Sequence, residues 1–226
     1  MDPMTHLVIA SIAFLATHYI ASKPLREVLV ATMGSAYLAA YSLIAFITLG
    51  WMIWAFYHAP FINLWYAVAM RPVPLVLMPV AMVFGVCALA TPNPTLVGRE
   101  RLLKSASPAR GILRITRHPL MWAFALWAVG HIAARGDAAA LVFFGTFVVL
   151  AIAGAWLIDR RKAAALGDDW KRFAAVTSNI PFAAIVAGRN QFKLAEIGWW
   201  KILLGLVLYV VLLMLHHRLF GAHAVI

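Results

Sequence analysis

Six runs of apolar residues, at about residues 4–21, 36–57, 73–90, 119–134, 138–158 and 198–220, are each bounded by charge, proline or glycine. A helix needs roughly 20 apolar residues to cross about 30 Å of hydrocarbon, and in lipid a backbone must satisfy its own polar groups, which helices do. The pattern therefore predicts an all-α integral membrane protein, a bundle of about six transmembrane helices forming one domain over residues 1–226. Composition agrees, with 64% hydrophobic and 12% charged residues, whereas soluble domains carry about 25% charge. Membrane lipid is the expected surroundings. Met1 to Thr5 lack the cationic region and small-residue cleavage site of a signal peptide, so the first run is expected to stay as a helix.

Charge orients the bundle. The loop between the first two runs has Lys23 and Arg26, the third-to-fourth loop has six basic residues from Arg99 to Arg117, and the fifth-to-sixth stretch has eight from Arg160 to Lys201, sixteen of the nineteen lysines and arginines in all. The positive-inside rule predicts these loops in the cytoplasm and both termini on the non-cytoplasmic side, as for a multi-pass protein of the bacterial inner membrane. Phe61, Trp65 and Tyr66, before Arg71 and Pro72, read as an aromatic belt or a short interfacial helix. The fifth run can extend through Asp159, Arg160 and Arg161 before turning at Gly167, and residues 179–185 form an apolar patch suited to anchoring at the inner interface.

A net charge of +11 would suit nucleic acid, but the aromatics lie inside the apolar runs and do not alternate with Lys and Arg, so no nucleic-acid partner is expected. Cys87 is the single cysteine, which excludes disulfides within the chain, thiolate zinc sites and covalent c-type haem; it reads as a small core residue. Metalloprotease, nucleophile-elbow and nucleotide-loop motifs are absent from the sequence, and Asp2, Asp137, Asp159, Asp168 and Asp169 fall in loops or at run ends, so no buried carboxylate suggests ion transport.

Ionisable groups at membrane depth are costly and usually face a partner, a cavity or a cofactor, which singles out His18 and His131. Neutral imidazole is a common ligand for metals and haem iron; the competing reading is a histidine hydrogen-bonded between helices. Arg117 and His118 precede Pro119 at the fourth run's entrance, where they form either a snorkelling helix start or an anion contact. At 1.5 Å per residue, His131 lies about 18 Å above Pro119 and His18 about 6 Å above Ser22, a depth difference of about 12 Å. His216 is nearer in depth to His131, and His118 to His18, so these are competing pairs. His6, His58, His217 and His223 lie near run ends and are expected to be solvated.

The segments Leu113-Arg114-Ile115-Thr116-Arg117-His118-Pro119, Leu126-Trp127-Ala128-Val129-Gly130-His131, Ile158-Asp159-Arg160-Arg161, Thr177-Ser178-Asn179-Ile180-Pro181-Phe182 and Gly188-Arg189-Asn190 closely resemble the NnrU family, which includes plant and algal 15-cis-zeta-carotene isomerase. The resemblance runs from Thr17-His18 and Leu25-Arg26 to Leu215-His216. It implies a haem b cofactor with His18 and His131 as metal ligands, Arg117 and His118 beside the cofactor, and a lipophilic polyene as the possible substrate, isomerised cis to trans without net redox change. Where the isomerase has a cysteine three residues before the second histidine, this chain has Ala128. Bacterial relatives were named for an association with denitrification and nitric oxide. A fainter likeness to isoprenylcysteine and phospholipid methyltransferases, through Arg117-His118-Pro119 and Leu166-Gly167-Asp168-Asp169-Trp170, implies S-adenosylmethionine at the cytoplasmic face. A third reading is a non-enzymatic assembly factor for a respiratory nitrogen-oxide enzyme.

Overall fold

The computed structural model describes residues 1–20, 25–65, 67–105 and 107–221; Ser22, Lys23, Tyr66 and His223 lie outside these. Among the described residues the chain is helical, with no strand beyond an isolated bridge between Asn63 and Asp137. The apolar runs become α1 (Pro3–Ile20), α3 (Ala36–His58), α4 (Pro72–Ala90), α6 (Pro119–Arg135), α7 (Ala138–Ala175) and α10 (Trp199–Phe220), joined by the short α2 (Leu25–Met33), α5 (Ile112–Ile115), α8 (Ala183–Val186) and α9 (Leu194–Ile197). Four stretches, Ala36–His58, Val68–Ala90, Ala138–Ala175 and Trp199–Phe220, are long and apolar enough to cross a membrane. α1 and α6, of 18 and 17 residues, pack beside them.

The helices form a row in which α3 packs on α1, α1 on α7, α7 on α6, α6 on α4 and α4 on α10. Side-chain contacts show that consecutive long helices alternate in direction. His6 meets Trp51 while His18 meets Tyr41, and His131 meets Phe144 while Arg117 meets Asp159. Residues 25–35, 91–105, 107–118 and 159–198 therefore share one end of the bundle, and with them the described basic residues they carry. The flanking helices α3 and α10 expose Leu43, Phe46, Ile47, Leu203, Val207 and Met214, surfaces that cost little in lipid and much in water.

α6 and α7 form a helical hairpin. Gly136 ends α6, and the wholly buried Asp137 caps α7 by accepting the Ala140 N–H at 2.9 Å and Arg135 Nε at 2.8 Å. Leu64 N and Trp65 N donate to the Gly136 carbonyl, and Ala138 N to that of Ile62. The aromatic segment after α3 is thus an extended strap over the hairpin, and the helical turn follows it at Ala67–Met70. Asp137→Ala removes a cap and leaves these donors unpaired, an expected loss of about 1–2 kcal/mol. The buried Cys87 thiol allows thiol-reactive dye melting to read it.

α7 runs on past its apolar part to Gly167, where φ of 50° and ψ of −122° break the helix. That conformation suits only glycine, and it turns Trp170 and Phe173 onto Leu103 and Ala109 in a small core at the basic end.

Candidate functional site

Histidines at helix depth gather at two places. On α6, His131 Nδ1 lies 2.8 Å from the Trp127 carbonyl. A carbonyl only accepts, so Nδ1 carries a proton, and in the neutral ring Nε2 keeps the lone pair that ligates metals. On α1, His18 Nδ1 lies 2.8 Å from the Phe14 carbonyl, which likewise puts a proton on Nδ1. His58 repeats the device with Trp54 at an exposed end of α3, so the bond orients a histidine without marking it as a ligand. His6, expected to be solvated, is instead half buried and accepts a bond from Trp51 Nε1 at 2.8 Å.

A continuous aromatic cluster surrounds these two residues. His131 lies against Phe144 with ring centres 4.8 Å apart and against Trp127 at 5.2 Å; Trp127 touches Phe147 at 5.2 Å, Phe147 touches Phe14 at 5.7 Å, and Phe14 touches His18 at 4.6 Å. Three rings thus lead from His131 to His18, and among the described residues no ring contact joins the two imidazoles directly. α7 measures their offset. Phe147 meets both Trp127 and Phe14, so His131, one turn beyond Trp127 on α6, and His18, one turn beyond Phe14 on the oppositely running α1, stand about 12 Å apart in depth. The offset is the one that counting along α1 and α6 indicates.

His216 of α10 lies beside His131, with ring centres 6.2 Å apart and planes inclined by 25°. A metal bonded at about 2 Å to one nitrogen of each of two imidazoles holds the ring centres about 6 Å apart, so the His131–His216 separation fits a shared iron. His18 and His131 are linked through Phe14, Phe147 and Trp127. No group of three or more His, Cys, Asp or Glu among the described residues could hold a metal by itself.

Arg117 and His118 are elsewhere, at the basic end, where both converge on Asp159. Arg117 grips the carboxylate with Nε at 2.8 Å and Nη2 at 2.5 Å, and His118 Nε2 lies 2.6 Å from Oδ1. His118, 2% exposed, has that nitrogen occupied and cannot offer it to a metal. The segment 179–185, expected as a surface anchor, closes over this cluster together with Ser178: Ser178 O accepts from Arg117 N, Asn179 O accepts from Thr116 Oγ1 and Trp122 Nε1, and Phe182 N donates to Ile115 O. Within 179–185 only Ile180 and Phe182 stay exposed. Alongside, Arg114 holds Glu196 through Nε at 2.7 Å and Nη2 at 3.0 Å, and Asn190 Oδ1 through Nη1 at 2.5 Å. The segments that share family-like motifs are therefore mostly one interlocked scaffold of charge pairs and backbone bonds. Sequence reasoning missed these pairs; the signal available was that Asp159 and Glu196 are two of only eight acidic residues.

The Arg114 bond, aided by the Gly111 N–H and Lys193, lowers Glu196 from 4.5 to about 2. A lowered carboxylate stabilises the fold above its unfolded value and loses that contribution as pH falls through its folded value. Melting temperature is thus expected to drop between about pH 4.5 and 2, and Glu196→Gln should lie lower at neutral pH and flatten that limb.

A family model described as NnrU protein matches residues 6–224. The chain belongs to the NnrU family. Curated relatives of this NnrU protein include 15-cis-zeta-carotene isomerase, chloroplastic, of Arabidopsis thaliana, 40% identical over 80 residues covering 35% of this chain and 22% of the relative. The Zea mays protein of the same name is 36% identical over 81 residues, 36% of this chain and 22% of the relative. The matched stretch thus spans about a fifth of those relatives' length. No solved structure matches this NnrU chain.

Proposed function

We propose that this NnrU protein binds haem b within the bacterial inner membrane, with six helices crossing, basic loops in the cytoplasm and both termini outside, and that it isomerises a cis double bond of a carotenoid-like polyene. The observation that carries the reading is His131, whose neutral ring keeps a lone pair on Nε2 inside an aromatic cluster. The isomerase relatives and the positive-inside distribution support the rest. Haem b would supply a redox-sensitive iron beside the double bond. His131 would hold it; for the second position the short distance supports His216 and the family resemblance supports His18. Trp127, Phe144 and Phe147 offer flat, apolar faces that suit a conjugated chain and keep water away. Since the polyene dissolves in lipid, it reaches such a site sideways, between helices.

The test is absorbance of the protein purified after haem-replete expression. A Soret band is expected, lost in His131→Ala, and altered in whichever of His18→Ala and His216→Ala removes the second ligand. Absence of the band, or a band unchanged in both His131→Ala and His18→Ala, overturns the haem assignment. Incubation with a cis-carotenoid in the dark tests the isomerase step. Haem and nitric oxide binding without that conversion would instead favour a role in nitrogen-oxide metabolism, and calorimetric binding of S-adenosylmethionine would favour a methyltransferase.

A further inference from the structure

The segment Gly188-Arg189-Asn190 has no part in the histidine cluster. Gly188, at φ of 68°, follows α8 in a turn where Arg189 N and Asn190 N both donate to the Ala184 carbonyl. That turn carries the two side chains back to the end of α7. Arg189 Nη1 donates to the carbonyls of Ala174, Ala175 and Thr177 at 3.3, 2.7 and 3.0 Å. Asn190 Nδ2 donates to the Val176 carbonyl at 2.6 Å, and its Oδ1 accepts from Arg114.

These bonds frame a cavity of about 330 Å³, lined by Arg114, Arg189, Asn190 and Ser107 with Pro108 and Val176 as an apolar wall. That volume lies at the lower end of the range of small-ligand sites. Its two arginines differ in how their charge is met. Arg114 faces a carboxylate, since both oxygens of Glu196 accept from it. The Arg189 bonds go to carbonyls at a helix end, dipoles that answer a full charge only in part, and they leave its Nε and Nη2 unused. A guanidinium only donates, and that edge is the fork that pairs with two oxygens of an anion. Capping α7 accounts for one nitrogen of Arg189 but not for a cavity held open between two arginines and an amide. A cavity of about 240 Å³ on α10, lined by Leu206, Val207, Val210 and Val211, has no such groups. Close by in the chain, Phe182, Val186 and Phe192 are exposed, side chains suited to the edge of a bilayer. A lipid headgroup and a dissolved compound can therefore both supply the anion.

We propose that this cavity binds a phosphate-bearing group of headgroup size. Arg189 anchors the phosphate through Nε and Nη2, Ser107 adds a hydroxyl, and the bonded Arg114–Asn190 pair forms a fixed wall. The site lies at the basic end, apart from the histidine cluster, and rests on neither haem nor a polyene.

The experiment uses the full-length protein in dodecyl maltoside micelles, with circular dichroism and gel filtration confirming folded variants. Native mass spectrometry reads binding of added phosphatidylglycerol, and calorimetry reads binding of glycerol 3-phosphate; diacylglycerol and glycerol are the phosphate-free controls. Arg189→Gln removes the charge and keeps an amide for the carbonyls at the end of α7. It should bind at least about tenfold more weakly, the loss of one charge-assisted contact. Weakened phosphatidylglycerol binding, with glycerol 3-phosphate unbound in wild type, assigns the site to a lipid headgroup. Weakened glycerol 3-phosphate binding assigns it to a dissolved phosphate compound, and weakening of both to a site open to either. A wild type that binds neither probe better than its control, or a folded Arg189→Gln with wild-type affinity for both, overturns the proposal. If Arg189→Gln does not fold, Ser107→Trp, which fills the cavity from an exposed position and removes none of the bonds described, decides by the same readings.

Discussion

Asp159→Ala is expected to destabilise the protein by about 3–5 kcal/mol, the cost of leaving a buried cation without its partner. Arg117 and Asp159 are only 14% and 15% exposed as side chains and His118 is 1%, so water cannot replace the lost oxygens. The effect spreads, because the Arg117 backbone is itself tied to Ser178 and Thr95. Expression in the membrane fraction should fall sharply, with a lowered dye-melting midpoint in what remains. Removing both charges in Arg117→Met/Asp159→Leu should recover much of the loss, since an apolar replacement of a whole buried pair is often neutral. A single Asp159→Ala variant that melts within about 0.5 kcal/mol of wild type, the range of ordinary surface substitutions, would show that the cluster is solvated.

Gly205→Val is expected to be nearly as damaging, through shape alone. A Cβ at Gly205 would stand 2.7 Å from Val83 Cα and 2.9 Å from Val83 N, backbone atoms of α4 that cannot step aside. α10 must separate from α4 or shift along it, at about 1–3 kcal/mol or more for overpacking. Gly130→Ala is the control: its Cβ would meet the mobile end of Met78 at 2.5 Å, which can swing away. A smaller melting loss for Gly130→Ala than for Gly205→Ala, measured side by side, is the expected order; the reverse would mean α10 is not seated on α4 at this point. Displacing α10 should also carry His216 away from His131.

The helices were legible because each apolar run ends on charge, proline or glycine; the starts of α3, α6 and α7 fall where the sequence places them, and Gly167 marks the break. Which charges pair was not legible. Asp159 has many basic residues to choose from in a chain with nineteen of them, and its partners lie about forty positions away. The histidine geometry was partly legible: depth favoured His216 as the neighbour of His131, and their rings do meet. The aromatic rings leading to His18 depend on how α1, α6 and α7 rotate about their axes, which similar apolar residues on every face leave unstated.

The α6–α7 hairpin is cinched twice, by Asp137 at its turn and by the Arg117–Asp159 clamp at its open end. Fastened at both ends, the two helices have a single register, and the depth of His131 against Phe144 is set by protein contacts instead of by bilayer thickness. Lipids of different chain length should therefore tilt or stretch the outer helices α3 and α10 while this pair moves as one body. A spectroscopic label on α6 paired with one on α7 should report the same separation in thin and thick bilayers, whereas a pair across α6 and α10 should not.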